Sequence, residues 1–281
     1  MKIGIMQGRL VPPTEGRFQS FPRTRWAEEF TLAAEAGLAS IEWIYDLFGA
    51  DDNPLADDAG LSRMQRLCDD GDVKVVSMCA DYFMDLPLVR VDGDELKARL
   101  ETLTWLLGRA QRAGIRHVVL PFVDASRIDT DADFRQVIHS LHSLFPVAER
   151  TNVELHLETS LPPSRFADLL AELPHPLLKV NYDSGNSASL GYRVGEEFAA
   201  YGDRIGSVHI KDRVRGGGTV PLGSGNADFP ALFAELNRLE YQGNFVLQVA
   251  RGEPGHEVSL ARNNASFVAG HLQQIGGSPW T

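Results

Sequence analysis

At 281 residues with 43% hydrophobic content, the chain holds enough apolar material to bury most of its surface, which excludes intrinsic disorder. The length fits two domains of ~150 residues or one α/β barrel of about 250, and no Pro/Ser-rich linker, low-complexity tract or literal repeat divides it, so a single domain over 1–281 is expected. Thirty-eight acidic against 27 basic residues leave a formal charge of -11, which repels phosphate backbones and excludes nucleic acid as the expected partner.

Apolar runs and amphipathic segments alternate along the chain. A run at 2–6 reads as a buried strand, followed by a Pro- and Gly-rich loop at 9–23 and an amphipathic helix at 25–36 that Gly37 ends. A second run at 40–44 leads into another long loop at 45–58, and a third at 73–78 precedes a helix at 95–113 closed by Gly114. Runs at 117–121 and 153–157 flank a helix at 133–150. Runs at 177–181, 205–210 and 245–249 complete the series, with a helix at 228–239 before the last. Gly71 and Gly243 stand where helical segments give way to strands. Eight strand-and-helix units favour a closed (β/α)8 TIM barrel over an open sheet, and the two long loops then lie on the face where such barrels carry their active sites.

Cys68 and Cys79 match no metal or redox spacing and suggest a reducing compartment. No apolar run approaches the ~18 residues of a membrane span, and the opening MKIGIMQGRL lacks a secretory apolar segment, so a soluble cytoplasmic protein is expected. A homo-oligomer is compatible with the exposed helix faces, and no residue pattern fixes its stoichiometry.

A buried strand ends in polar residues where it meets solvent or a ligand. The fifth run ends HLETS, giving Glu158; the sixth NYDSGN, giving Asp183; the seventh VHIKD, giving His209; and the eighth VLQVAR, giving Gln248. Adjacent strands lie ~4.8 Å apart, so four neighbouring ends converge on one point. Two carboxylates, an imidazole and an amide oxygen suit one divalent metal ion, Mn, Mg, Co or Zn. Each residue also has an ordinary explanation: a satisfied core histidine for His209, an Asx turn for Asp183, a strand-end ion pair for Glu158 and backbone satisfaction for Gln248.

These residues make the chain resemble the xylose-isomerase-like TIM-barrel superfamily of sugar and sugar-phosphate isomerases and epimerases, which includes the ketose 3-epimerases. The segments LETS, NYDSGN, VHIKDR and GSGNADFPALFAELNRLEYQGNFVLQ carry the resemblance, which runs nearly end to end. It implies metal-ligand roles for Glu158, Asp183 and His209, a catalytic-base role for Glu158 and substrate contact by Arg215. Two positions depart: Gln248 stands where the epimerases have a second glutamate, and Asn186 where they commonly have a substrate-binding histidine. An amide binds metal through oxygen but accepts no substrate proton.

The expected chemistry is proton abstraction beside a carbonyl through an enediolate, with Glu158 as base. A single base suffices for aldose-ketose isomerisation; epimerisation needs a second proton relay, for which Glu253 and His256 are candidates. Lys211, Arg213, Arg215 and Arg251 form a basic cluster suited to a phosphate or carboxylate, or to pairing with nearby acids. Glu42 and Tyr82, with Cys79 and Asp81, lie at strand ends where a sugar meets polar tips and aromatic walls. His117 and His156 read as structural. A dehydratase acting on a keto-polyol or keto-acid, and a barrel used only for binding, stand as alternatives, the latter argued mainly from Gln248.

Overall fold

The computed structural model describes residues 3–274, so Lys2 of the first predicted strand lies outside the described residues. Ten strands form in chain order: β1 (Ile3–Met6), β2 (Ser40–Ile44), β3 (Lys74–Cys79), β4 (His117–Phe122), β5 (Glu154–Thr159), β6 (Leu178–Asp183), β7 (Ile205–Ile210), β8 (Asp212–Arg213), β9 (Thr219–Val220) and β10 (Phe245–Leu247). Eight of them close a parallel barrel in the order β1-β10-β7-β6-β5-β4-β3-β2, with helices between successive strands, as the alternating pattern requires. β8 and β9 pair antiparallel in a small hairpin whose turn holds Gly216 to Gly218. No helix among the described residues is long and apolar enough to cross a membrane.

Where element ends shift from the predicted ones, hydrogen bonding decides. β5 runs two residues past its apolar core because Glu158 and Thr159 keep pairing with Pro121 and Phe122 of β4. β6 likewise extends to Asp183, opposite His209 of β7. β10 ends at Leu247, yet the Gln248 amide still donates to the Ile210 carbonyl at 3.0 Å, which fixes Gln248 at the barrel mouth. Gly37 and Gly114 stop their helices in the left-handed region at φ 75° and 77°. After the helix Asp58–Gly71 that conformation falls on Asp72 at φ 49° instead, a residue type that tolerates it.

Trp43 on β2 faces the helices, wholly buried against Phe21, Trp26 and Phe30 with ring centroids 5.7, 5.7 and 6.3 Å away. Its indole N–H donates to Asn53 Oδ1 at 3.1 Å, so one side chain anchors both long loops to the barrel. The barrel interior is unusually polar. Glu42, His117, His156, Asn181, Ser207 and His209 all point into it, each at most 9% exposed, and His117 stacks on His156 at 4.0 Å. Trp43→Ala should cost about 3–5 kcal/mol in urea denaturation, the range for a fully buried large aromatic; a loss under about 1 kcal/mol would mean that other contacts hold the two loops.

Candidate active site

Asp183 ends β6 and starts the helix Ser184–Leu190, and its position as N-cap sets its geometry. Oδ1 accepts the Gly185 and Asn186 amides, each at 2.8 Å, which leaves Oδ2 facing the site 3.4 Å from Lys211 Nζ. The lysine reaches this point by crossing residue 185, where a Cβ would lie 2.6 Å from Lys211 Cγ. Only glycine leaves that path open.

His209 is held from behind. Its Nε2 meets Glu42 Oε1 at 2.6 Å across the barrel interior, and Nδ1, which has no hydrogen-bond partner, stands 3.3 Å from Glu158 Oε2. Burial opposes charge on the ring, yet Glu42 and Glu158 together push the imidazole well above its usual range. His209 in turn holds the Glu42 carboxyl low despite the burial that pushes it up. In the neutral tautomer that gives Nε2–H to Glu42, the Nδ1 lone pair would face the acidic residues, the arrangement of a metal-ligating imidazole. One ligand atom each from Glu158, Asp183 and His209 lies within 4.8 Å of the others. Carboxylate oxygens and an imidazole nitrogen at this spacing, around an unpartnered buried nitrogen, fit a divalent cation.

Glu158 is oriented by two amides: Asn186 Nδ2 donates to Oε1 at 2.6 Å and Asn181 Nδ2 to Oε2 at 2.8 Å. Behind Asn181, Ser207 Oγ donates to its Oδ1 at 2.6 Å, and His156 Nδ1 meets Ser207 Oγ at 2.7 Å while its Nε2 meets Glu154 Oε2 at 2.8 Å. A line of contacts thus runs down the barrel from Glu158. Gln248 joins the site through Lys211, whose Nζ donates to Gln248 Oε1 at 3.1 Å and lies 3.3 Å from Asn186 Oδ1.

A cavity of about 270 Å³ opens above these groups, lined by Glu158, Asn186, Lys211, Arg213 and Gln248. Residues of both long loops, among them Gln19 and Phe48, line it too. The remaining predicted contacts are placed elsewhere. Glu42 is wholly buried, bonded to His209 from inside the barrel and outside the lining of this cavity. Tyr82 packs between Tyr45 and Phe83 at 5.6 and 5.3 Å instead of forming the cavity wall. Arg215 is exposed and lies against Gly191; Arg213, two residues earlier, takes the inward place, donating to Asn186 Oδ1 at 2.8 Å. Arg213 ends β8 whereas Arg215 lies in the turn before β9, so strand alternation, which would put both on one face, does not separate them. Arg251 lines a separate cavity of about 120 Å³ and donates to the Phe18 and Val11 carbonyls. Glu253 and His256 are exposed in the loop after β10.

Sequence reasoning missed Gln19 and Asn181. Gln19 sits in an irregular loop with no periodicity to place it, whereas Asn181 was legible as the inward residue two before Asp183. Glu42→Gln should weaken Mn²⁺ binding about 10–100-fold by calorimetry with secondary structure intact, the usual cost of losing the partner of a ligating histidine; unchanged affinity would separate Glu42 from the ion-holding set.

Several known proteins are similar to this chain. L-ribulose-5-phosphate 3-epimerase UlaE of Salmonella paratyphi C (strain RKS4594) is 29% identical over 261 residues, covering 85% of this chain and 88% of its own. Inosose dehydratase of Geobacillus kaustophilus (strain HTA426) is 29% identical over 165 residues, covering 50% and 53%. A crystal structure of D-psicose 3-epimerase in the presence of D-fructose superposes with a TM-score of 0.75 at 15% identity, covering 97% of this chain and 99% of that one, a likeness of fold. The model of the xylose isomerase-like TIM barrel family matches residues 30–269, and the chain belongs to that family.

Proposed function

We propose that this protein is a divalent-metal-dependent isomerase or epimerase of a small sugar or sugar phosphate, working by proton abstraction next to a carbonyl. The observation that carries the reading is the convergence of Glu158, Asp183 and His209 beneath a polar cavity, with His209 Nδ1 unpartnered among carboxylates. Membership of the family and the similarity to a sugar-phosphate epimerase support it. Glu158, Asp183 and His209 would hold the ion, with Gln248 Oε1 as the fourth donor. A bound divalent ion would draw electrons from the substrate carbonyl and steady the negative charge of the enediolate.

The side chains divide the remaining work. Glu158 takes the proton from the carbon beside the carbonyl, and Asn181 and Asn186 hold both of its oxygens in place while it does so. Asn186 is itself fixed by Arg213 and Lys211, which donate to its oxygen, so its amide hydrogens point at the base. Lys211 and Arg213 line the cavity; the three N–H groups of Lys211 are taken by Asp183, Asn186 and Gln248, so Arg213 is the one with N–H groups left for substrate oxygens. At about 270 Å³ the cavity falls just below the ~300–1,000 Å³ range of small-molecule sites, consistent with a compact polar substrate.

A second reading, loss of water after the same abstraction, is favoured by Gln248 in place of a second carboxylate and by the partial similarity to inosose dehydratase. Product analysis separates the two. With wild-type protein in D₂O, deuterium should enter the carbon beside the carbonyl of a substrate sugar, stop on chelation and return with Mn²⁺. Glu158→Gln should lower that exchange about 10²–10⁴-fold; exchange that survives either chelation or this substitution would overturn the mechanism.

A further inference from the structure

Inverting a carbon beside a carbonyl requires a proton taken from one face and another delivered to the opposite face. Gln248 offers no transferable proton, and Glu253 and His256 stand exposed away from the cavity. Among the other carboxylates lining the cavity, Asp46 is committed to a turn, accepting the Phe21 and Gly49 amides at 2.8 and 2.7 Å, while Asp85 and Asp124 are exposed. Asp81 differs from all of them. It is 9% exposed, lies just beyond β3, and accepts only from Gln19 Nε2 at 2.7 Å and the Cys79 thiol at 3.1 Å. Both donors are neutral and no cation is bonded to it, so burial, reinforced by the charges of Asp46 and Glu158, pushes its carboxyl up to about 6. Near neutrality such a group is populated in both its acid and base forms.

Position agrees with protonation. β3 and β5 are separated by β4 alone, so at ~4.8 Å per strand the ends bearing Asp81 and Glu158 stand roughly 10 Å apart, room for a sugar between them. Around the mouth the two carboxylates terminate one chain of hydrogen bonds. Gln19 donates to Asp81; Gln19 Oε1 accepts from Gln248 Nε2 at 3.1 Å and from Arg9 Nη2 at 2.9 Å; Gln248 Oε1 accepts from Lys211; Lys211 and Asn186 lead to Glu158. Arg9 can only donate, and that fixes which end of each glutamine amide faces which neighbour. Gln19 must turn its N–H toward Asp81.

We propose that Asp81 is the second proton-transfer group of this site, serving the face of the substrate carbon that Glu158 does not reach; the inference rests on the proton-abstraction reading above. Glu158 removes the C–H proton, and the bonding pair moves onto the carbonyl oxygen as the enediolate. The protonated Asp81 then gives its O–H proton to the same carbon from the other side, the carbonyl re-forms, and Asp81 is left as carboxylate with Glu158 as acid. Solvent exchange of one proton at each carboxyl restores the starting state.

The test follows L-ribulose, L-ribulose 5-phosphate, D-fructose and D-tagatose in D₂O by NMR with Mn²⁺-loaded protein, scoring deuterium uptake and epimer formation separately. Asp81→Asn should retain uptake, with the deuterium returned on the original face, while epimer formation drops about 10²–10⁴-fold. Retained uptake also certifies that the variant is folded, and Asp81→Glu should recover part of the lost epimerisation. Epimer formation by Asp81→Asn at the wild-type rate would overturn the role of Asp81 and leave the abstraction reading intact. No uptake by the wild type on any of the four sugars would remove that reading, and the role of Asp81 with it.

Discussion

The arrangement depends on an excess of buried negative charge around one imidazole. Glu42, Glu158 and Asp183 face His209 and its surroundings, each almost fully out of water, with His209 itself and Lys211 the positive side chains bonded to them among the described residues. Carboxylates in a medium of low dielectric are costly unless a positive charge sits between them. The remainder of the mouth reads as a response to that constraint: Asn181, Asn186 and the backbone amides of the helix after β6 all turn N–H groups toward the acids. The proposed cation would sit where these acids converge, and the amide donors around them offset part of the cost of an acidic barrel interior.

Much of this was legible in the sequence, for identifiable reasons. Strands buried on both faces read as short apolar runs, and glycine-ended amphipathic segments mark the helices, so eight units and their order could be read directly. Glu158, Asp183 and His209 were found because a polar residue at the end of such a run has few places to point. For Glu42 the same rule left the direction of the side chain open. The sequence places it at the end of β2 but cannot say that its carboxylate turns inward and is spent on His209. The basic residues after β7 were harder, since a hairpin of two-residue strands carries no periodicity, and inward Arg213 differs from outward Arg215 by the path of the turn. Gln19 needed the loop's tertiary path and was invisible beforehand.

The same rim explains why an amide occupies position 248. Gln248 donates to the Gln19 oxygen and accepts from Lys211, two duties that need one N–H and one carbonyl. A carboxylate there would set acceptor against acceptor at Gln19, whose oxygen is already oriented by Arg9. The amide at position 248 is therefore tied to the conformation of the first long loop through Gln19 and Arg9.

The line of contacts that descends from Glu158 through Asn181, Ser207 and His156 to Glu154 has a bearing on how such a barrel diverges. Ordinary barrel interiors are filled by branched aliphatic side chains, which drift freely as long as total volume is kept. Along this line each residue is specified by the donor or acceptor its neighbour lacks, so an aliphatic of matched size at Ser207 would strand the oxygen of Asn181. Drift in this interior is accordingly confined to concerted exchanges of partners, and the lower barrel should preserve the memory of the chemistry at its mouth longer than its surface does.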